Sequence, residues 1–299
     1  MDYIPHTPAV LKHLFQKTGI KPNKRFGQNF LIDQNILLSI PEIAGLNDRD
    51  VVLEIGTGTG GLTRLLAAKA LRVVTVEVDK KLFELSSDIL RFYKNVTLIN
   101  ADILEAKHRL NREVVSTIQD WLEREHQSHV KIISNLPYNI STPVIINFLE
   151  SDLPVNAMVF MLQKEITERM AAKPATREYG TLSVITQLNA DIEVVKTLPP
   201  EVFWPRPDVY SSIVKITVNR EKFANRIIDY PFFLKIVHAI FTSRRKTLLN
   251  SLEHLNLPGV PRERLKGVLG SMHLDERIRG EVLGLDQLLC LAEAVRNLL

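Results

Sequence analysis

The sequence predicts an α/β protein: a mostly parallel sheet with helices on both faces and an antiparallel edge, followed by a smaller all-α domain. Three observations carry this. Short β-branched runs alternate with helical stretches from residue 51 to residue 162, and right-handed crossovers turn that alternation into a parallel sheet. Two alternating runs, 192–197 and 212–218, flank a Pro-rich loop and suit an antiparallel edge. From about Asp229 onward only helical spacing remains. The boundary falls within 220–230, giving domains 1–225 and 226–299.

The organising stretch is 51–63. Val51-Val52-Leu53-Glu54-Ile55 reads as a buried parallel strand, and glycine then recurs at 56, 58, 60 and 61. Such a loop turns sharply and lets backbone approach a ligand with no Cβ in the way. A helix follows over 62–69. The second strand, 72–79, carries Glu77 about twenty residues downstream, the spacing at which a carboxylate accepts ribose hydroxyls. Together these predict a nucleoside cofactor, with NAD and S-adenosylmethionine still unseparated. The bland alternative is a tight strand–helix turn without a ligand.

The remaining elements follow in order. Residues 9–17 can form a short helix. The stretch 21–31 is basic, with Lys21, Lys24 and Arg25, two aromatics and Pro and Gly as breakers. It reads either as a solvated arm or as a flap over the cofactor that also touches phosphate. Asp33 is placed to cap a helix over 34–44. Residues 82–93 are helical, 96–100 form a third strand ending at Asp102, and 112–126 is an amphipathic helix. Residues 131–134 form a fourth strand that runs into Asn135-Leu136-Pro137-Tyr138. Ser141 then caps a helix with Pro143 in its first turn, and 157–162 is a fifth strand. Helices are expected over 164–172, 182–188, 232–241, 246–255, 262–271 and 285–298.

Composition narrows the function classes. The chain has 299 residues, 45% hydrophobic and 24% charged, as expected for a globular protein. Net charge is +4 and the pI about 9.1. One cysteine excludes an internal disulfide and any Cys-cluster zinc site. Cys290 sits in Leu288-Leu289-Cys290-Leu291 and reads as buried. The eight histidines show no metal-ligand spacing, so no metal is expected. No apolar run is long enough for a membrane span, and no signal-peptide core is seen. A cytoplasmic monomer without membrane contact is the expectation.

In open parallel sheets, ligands bind outside the carboxyl ends of the strands. Four successive strands end there at the glycine loop from Gly56, at Glu77, at Asp102 and at Asn135. Asp102 is placed to accept from a cofactor adenine amine, or simply to cap the next turn. The Asn135–Tyr138 run is the sharpest signal. Methylating an exocyclic adenine amine is difficult because its lone pair is delocalised into the ring. The Asn135 side-chain oxygen and the Leu136 carbonyl can both accept from that amine. Pro137 fixes the backbone, and Tyr138 offers a face on which the base stacks. Dipole acceptors then stabilise the positive charge as it develops.

These residues resemble those of the ribosomal RNA adenine dimethyltransferases. The resemblance rests on Gly27-Gln28-Asn29-Phe30-Leu31, on Glu54 to Gly60, Val76-Glu77 and Asn100-Ala101-Asp102, and on Asn135 to Ser141. It continues through Gln163-Lys164-Glu165, Tyr179 to Val184, Phe203-Trp204-Pro205-Arg206-Pro207 and Arg244 to Leu248. It implies a Rossmann-like class I methyltransferase sheet. It also implies S-adenosylmethionine held by Asn29, Leu31, Gly56, Gly58, Glu77, Asp102 and Asn135, and catalysis at Asn135, Leu136, Pro137 and Tyr138. The implied product is two adjacent adenosines in a hairpin near the 3′ end of small-subunit rRNA, each dimethylated at N6 in the assembling small ribosomal subunit. RNA contacts are expected from Lys24, Arg25, Arg206, Arg244, Arg245 and Lys246, the last three in a helical domain that grips rRNA.

Two departures stand out. The family usually has proline where this chain has Thr57, and the segment between Asp102 and Asn135 is longer than usual. Rival readings are a large-subunit rRNA methyltransferase of the macrolide-resistance type and a ribosome-assembly factor that has lost turnover. A nicotinamide-dependent dehydrogenase is the cheapest to exclude, by lack of NAD binding.

Overall fold

The computed structural model describes residues 7–23, 26–224 and 229–299. Lys24 and Arg25 lie outside the described residues. The chain divides into two compact units, Met1–Thr167 with Ile192–Val218, and Glu168–Asp191 with Asn219–Leu299.

The first unit begins with α1 (Pro8–Thr18), β1 (Phe30–Leu31) and α2 (Gln34–Ile43). Asp33 does cap α2, its Oδ1 accepting from Ile36 N at 3.0 Å. The glycine-loop unit is β2 (Val51–Ile55), α3 (Gly61–Ala67), β3 (Arg72–Val76), α4 (Lys80–Leu90) and β4 (Val96–Ile99). A small hairpin, β5 (Leu104–Ala106) with β6 (Arg109–Leu110), precedes α5 (Arg112–Arg124). Then come β7 (Val130–Asn135), α6 (Ser141–Glu150), β8 (Val155–Gln163) and α7 (Lys164–Met170), within which the first unit breaks off after Thr167. The unit closes with β9 (Ala190–Leu198), β10 (Phe203–Trp204) and β11 (Ser211–Val218).

Among the described residues, seven strands form the main sheet in the order β4-β3-β2-β7-β8-β11-β9. The pairs β2–β3, β2–β7, β3–β4 and β7–β8 are parallel. β11 lies antiparallel to β8, from Ser211 opposite Gln163 to Thr217 opposite Ala157. The order reverses between β2 and β7, so the carboxyl ends of these strands open a crevice at the switch point. All five residues of β2 are buried, as a central parallel strand requires.

The segment before β7 has a structural purpose. α5 buries Val114, Ile118 and Leu122 and packs against β2 and β3. Its Trp121 Nε1 donates to Thr97 Oγ1 at 3.2 Å, and the Arg72 guanidinium lies 4.3 Å above the indole. A second, two-stranded pairing sets Phe30 opposite Trp204 and Leu31 opposite Phe203. Two residues are too short for any periodicity, which is why the sequence shows neither this ladder nor the β5–β6 hairpin.

The second unit is helical: α8 (Thr181–Asn189), α9 (Glu221–Ala224), α10 (Tyr230–Thr242), α11 (Leu248–Glu253), α12 (Arg262–Ser271) and α13 (Leu285–Arg296). Its core joins Tyr179, Val184 and Leu188 to Phe233, Ile236, Ile240, Leu269 and Leu288. The compact division therefore differs from a boundary at 225/226: residues 168–191 go with the helices, because their apolar side chains are buried among them. Cys290 also departs from expectation, since it is exposed. α13 buries Leu288, Leu291, Ala292 and Val295 at helical spacing, and position 290 faces away from that stripe.

Among the described residues no helix is long and apolar enough to cross a membrane, and no cluster of His, Cys, Asp and Glu is placed to hold a metal.

Candidate active site

The glycine loop leaves β2 with Gly56, Gly58 and Gly60 at φ of +84°, +57° and +73°, a region open to glycine and costly for other residues. Gly56 N and Thr57 N both reach Val76 O, at 2.8 and 3.3 Å, folding the loop back over the end of β3. The Phe30 ring packs on the open side of Gly58, where an added Cβ would lie 3.1 Å from Phe30 Cε1.

Glu77 stands beside this loop and is only 4% exposed. Its Oε2 accepts from Gly58 N at 2.8 Å and its Oε1 from Asp79 N at 2.9 Å. Burial pushes its carboxyl upward, while the N–H groups of Asp79 and Gly58 oppose the shift. Each oxygen keeps a second lone pair for a ligand hydroxyl. Asp102 is exposed, and its Oδ1 accepts from Leu104 N at 2.9 Å. It caps the following turn and still faces the pocket.

Asn135 ends β7. Its Nδ2 donates to the Asn29 carbonyl at 2.7 Å, so the amide oxygen is the atom left to accept. Asn29 belongs to the basic stretch 21–31, and Gln28 fastens that part of the chain down. Gln28 Oε1 accepts from Asn23 N at 2.7 Å, and its Nε2 donates to Asp79 Oδ2 at 3.0 Å. Gly27 passes so close to the Asn-Leu-Pro-Tyr turn that a Cβ there would lie 3.4 Å from Tyr138 N. Tyr138 is half-buried, its hydroxyl 2.6 Å from Ser211 Oγ on β11, and burial raises its pKa. Ser141 is not the cap expected of it. Ile140 occupies the N-cap position of α6 without a side-chain bond, and Ser141 Oγ instead donates to Tyr138 O at 3.0 Å, bracing the turn.

Every residue expected at the cofactor or the target adenine lines one pocket: Asn29, Leu31, Gly56, Gly58, Glu77, Asp102, Asn135, Leu136, Pro137 and Tyr138. Sequence reasoning gave no role to Gln28, Phe30, Glu54 or Thr75. The first three lie inside the matched motifs, which was the available signal; Thr75 carried none.

Glu54 lies fully buried beneath the loop. Thr63 and Thr75 donate to its Oε2 at 2.6 and 2.7 Å. Thr75 Oγ1 is also 2.7 Å from Thr57 Oγ1, so Thr57 is tethered through its side chain. Burial pushes the Glu54 carboxyl up to about 8, against the two threonine bonds and with the help of the Glu77 charge. A carboxyl whose folded pKa lies above its unfolded value stabilises the fold below the unfolded pKa, and this contribution is lost as pH rises toward 8. Thermal unfolding of the wild type should therefore show stability falling between about pH 5 and 8, by at most about 1.4 kcal/mol per unit from this group. Glu54→Gln should flatten the profile; an unchanged slope would show that Glu54 is ionised in the fold.

The expected RNA-contacting cations lie elsewhere. Arg206 is exposed and paired with Glu201 at 2.7 Å. In the second unit, Arg244, Arg245 and Lys246 form the turn between α10 and α11, and α11 starts at Leu248 with Thr247 as its cap. The Arg244 guanidinium donates to the carbonyls of Arg177 and Tyr179, which makes it a brace within the unit. Lys246 Nζ meets the His254 ring, and Arg245 is exposed. Leu248 N donates to Ile278 O at 2.7 Å, which seats the exposed Arg277 and Arg279 beside this turn.

A profile described as "Ribosomal RNA adenine dimethylase" matches residues 19–288. The chain is 39% identical to the ribosomal RNA small subunit methyltransferase A of Bacillus licheniformis over 295 residues, 98% of each chain. Its counterpart in Halothermothrix orenii is 39% identical over 297 residues, 99% of this chain and 95% of that one. Among solved structures, a dimethyladenosine transferase from Plasmodium falciparum superposes with a TM-score of 0.71 at 25% identity, over 89% of this chain and 97% of that chain. The 23S rRNA methyltransferase ErmE superposes at 0.63 with 24% identity, over 89% and 99%, and so shares the fold.

Proposed function

The chain belongs to the ribosomal RNA adenine dimethylase family, and from that premise we propose that it dimethylates the N6 amines of two adjacent adenosines near the 3′ end of small-subunit rRNA. The relatives of similar length are named small-subunit methyltransferases. The enzyme is a methyltransferase; S-adenosylmethionine supplies an electrophilic methyl group when bound.

The observation that carries the reading is the orientation of Asn135. Its Nδ2 is committed to the Asn29 carbonyl, so its Oδ1 is held as an acceptor at the strand end. The Leu136 carbonyl, fixed by the following proline, is the second acceptor. An adenine amine that donates both protons to these oxygens turns its lone pair out of conjugation and toward the methyl donor. Positive charge then develops on nitrogen against two preorganised dipoles. A Tyr138 ring held through Ser211 provides the stacking surface. Gly56 and Gly58 bring bare backbone to the cofactor, Glu77 accepts from its ribose, Asp102 from its adenine amine, and Asn29 and Leu31 close over it.

The first unit is the methyltransferase domain, and the second grips RNA as the helical domain. Within it Arg245 is the free cation of the Arg244–Lys246 run, and Arg277 and Arg279 extend the same face. Arg206, Lys24 and Arg25 complete the RNA set. The protein works as a cytoplasmic monomer on the assembling small subunit, without a metal.

The test is methyl transfer from labelled S-adenosylmethionine to rRNA and subunits, followed by reverse transcription, which stops at dimethylated adenosines. Label and stops at the 3′ hairpin of small-subunit rRNA are expected. Label in large-subunit rRNA would place the chain with the macrolide-resistance enzymes. Binding to particles without label would make it an assembly factor.

A further inference from the structure

We propose that the groove between α1 and Trp204 is a stacking subsite for an unpaired nucleotide of the RNA, flanking the one presented to Asn135; this rests on the reading of the substrate as RNA. The groove is about 330 Å³ and has an apolar floor of Phe15, Ile20, Pro22 and Trp204, rimmed by Lys12, Gln16 and Lys21. Both lysines are exposed.

Charge favours a polyanion. Residues 7–32 carry five cations and neither Asp nor Glu. Glu201, in the segment leading to Trp204, is taken by Arg206. Lys12 and Lys21 have no ion-pair partner among the described residues.

Rigidity favours a base. Trp204 is held by pairing with Phe30 in the β1–β10 ladder. Its indole packs 5.4 Å from Phe15 and, near parallel at 30°, 6.4 Å from Phe30. Phe15, Phe30 and their neighbours are buried as a small cluster, while Trp204 stays partly exposed at its margin. A fixed, partly exposed indole in a groove rimmed by two lysines has the composition of a single-strand platform: the ring stacks a base and the lysines meet its phosphates. Such a platform tolerates any base, because every base has a π-face.

Position favours the substrate strand. Phe30, on which Trp204 packs, also lines the candidate active site and covers Gly58. Two packed rings, Trp204 on the groove side and Phe30 on the pocket side, therefore separate groove from pocket, and a nucleotide in the groove lies within reach of a strand whose target adenine enters the pocket.

Trp121 and Trp204 are the chain's only tryptophans, so Trp121→Phe leaves the groove indole as sole reporter. The probe is a hairpin RNA of the small-subunit 3′ end with its single-stranded flank, titrated across a salt series, with affinity measured in parallel by filter binding. Saturating hairpin should quench Trp204 emission. Trp204→Phe should keep affinity within about threefold, whereas Trp204→Ala should lose about tenfold. Lys12→Gln with Lys21→Gln, both surface changes, should flatten the slope of log affinity against log salt by roughly 1.4. Unquenched emission at saturation, or a wild-type slope in the double lysine variant, overturns the subsite. If wild type binds and methylates the hairpin while Trp204 stays silent, the subsite alone fails. If wild type ignores the hairpin and labels another RNA, the substrate assignment fails.

Discussion

Asn135→Ala is expected to lower turnover on the order of a hundredfold or more at saturating S-adenosylmethionine, the usual cost of a lost preorganised hydrogen bond to developing charge. The change removes the acceptor and also the Nδ2 bond to Asn29. The two effects separate in the kinetics. Loss of the acceptor lowers kcat, whereas a loosened segment at Asn29 weakens the cofactor and shows in its Kd. Asn135→Asp keeps an acceptor but sets a carboxylate oxygen against the Asn29 carbonyl, so it should weaken cofactor binding more than Asn135→Ala does. Single-turnover rates and calorimetry on both variants check this. An Asn135→Ala enzyme within fivefold of wild type in kcat would remove the amide from the chemistry.

Glu77→Ala should weaken S-adenosylmethionine by roughly tenfold or more, since hydrogen bonds to charged groups contribute about 1.5–3 kcal/mol. The carboxylate also holds Gly58 and Asp79 through their N–H groups, so its removal frees the loop as well as the ribose. Glu77→Gln retains one acceptor oxygen and should fall between wild type and Ala. Calorimetric titration showing unchanged affinity for Glu77→Ala would exclude the residue from the site.

Much of this architecture was legible because its signals are local. Val51–Ile55 could only be a buried strand, the positive-φ positions of the loop are glycines, and the acids lie at strand ends where the chain turns toward the crevice. What escaped is non-local. The Phe30–Trp204 ladder joins residues far apart in the chain, and nothing in either dipeptide announces its partner. The Glu54–Thr75–Thr57 tether has the same character: strand alternation places Thr75 but says nothing of where its hydroxyl goes. In the Arg244–Lys246 run, like charges in sequence have different fates. Arg244 is exposed yet bound to carbonyls, Lys246 meets a histidine, and Arg245 is exposed with no bonded partner among the described residues. Residues 168–191 read as part of the α/β unit because helices there alternate with strands, yet their apolar faces belong to the helical core.

The β1–β10 ladder also sets a timetable for biosynthesis. Roughly 150 residues separate Gly58 from Trp204, and a ribosome adding about 5–20 residues per second needs roughly 7–30 s to produce them. Through that interval Phe30 has no partner strand, and Ser211 has not yet been made to hold Tyr138. A nascent chain that already carries the glycine loop, Glu77 and Asn135 therefore has the Phe30 wall of the pocket without the strand that pins it. Cofactor affinity should be gained late, after β10 and β11 have emerged.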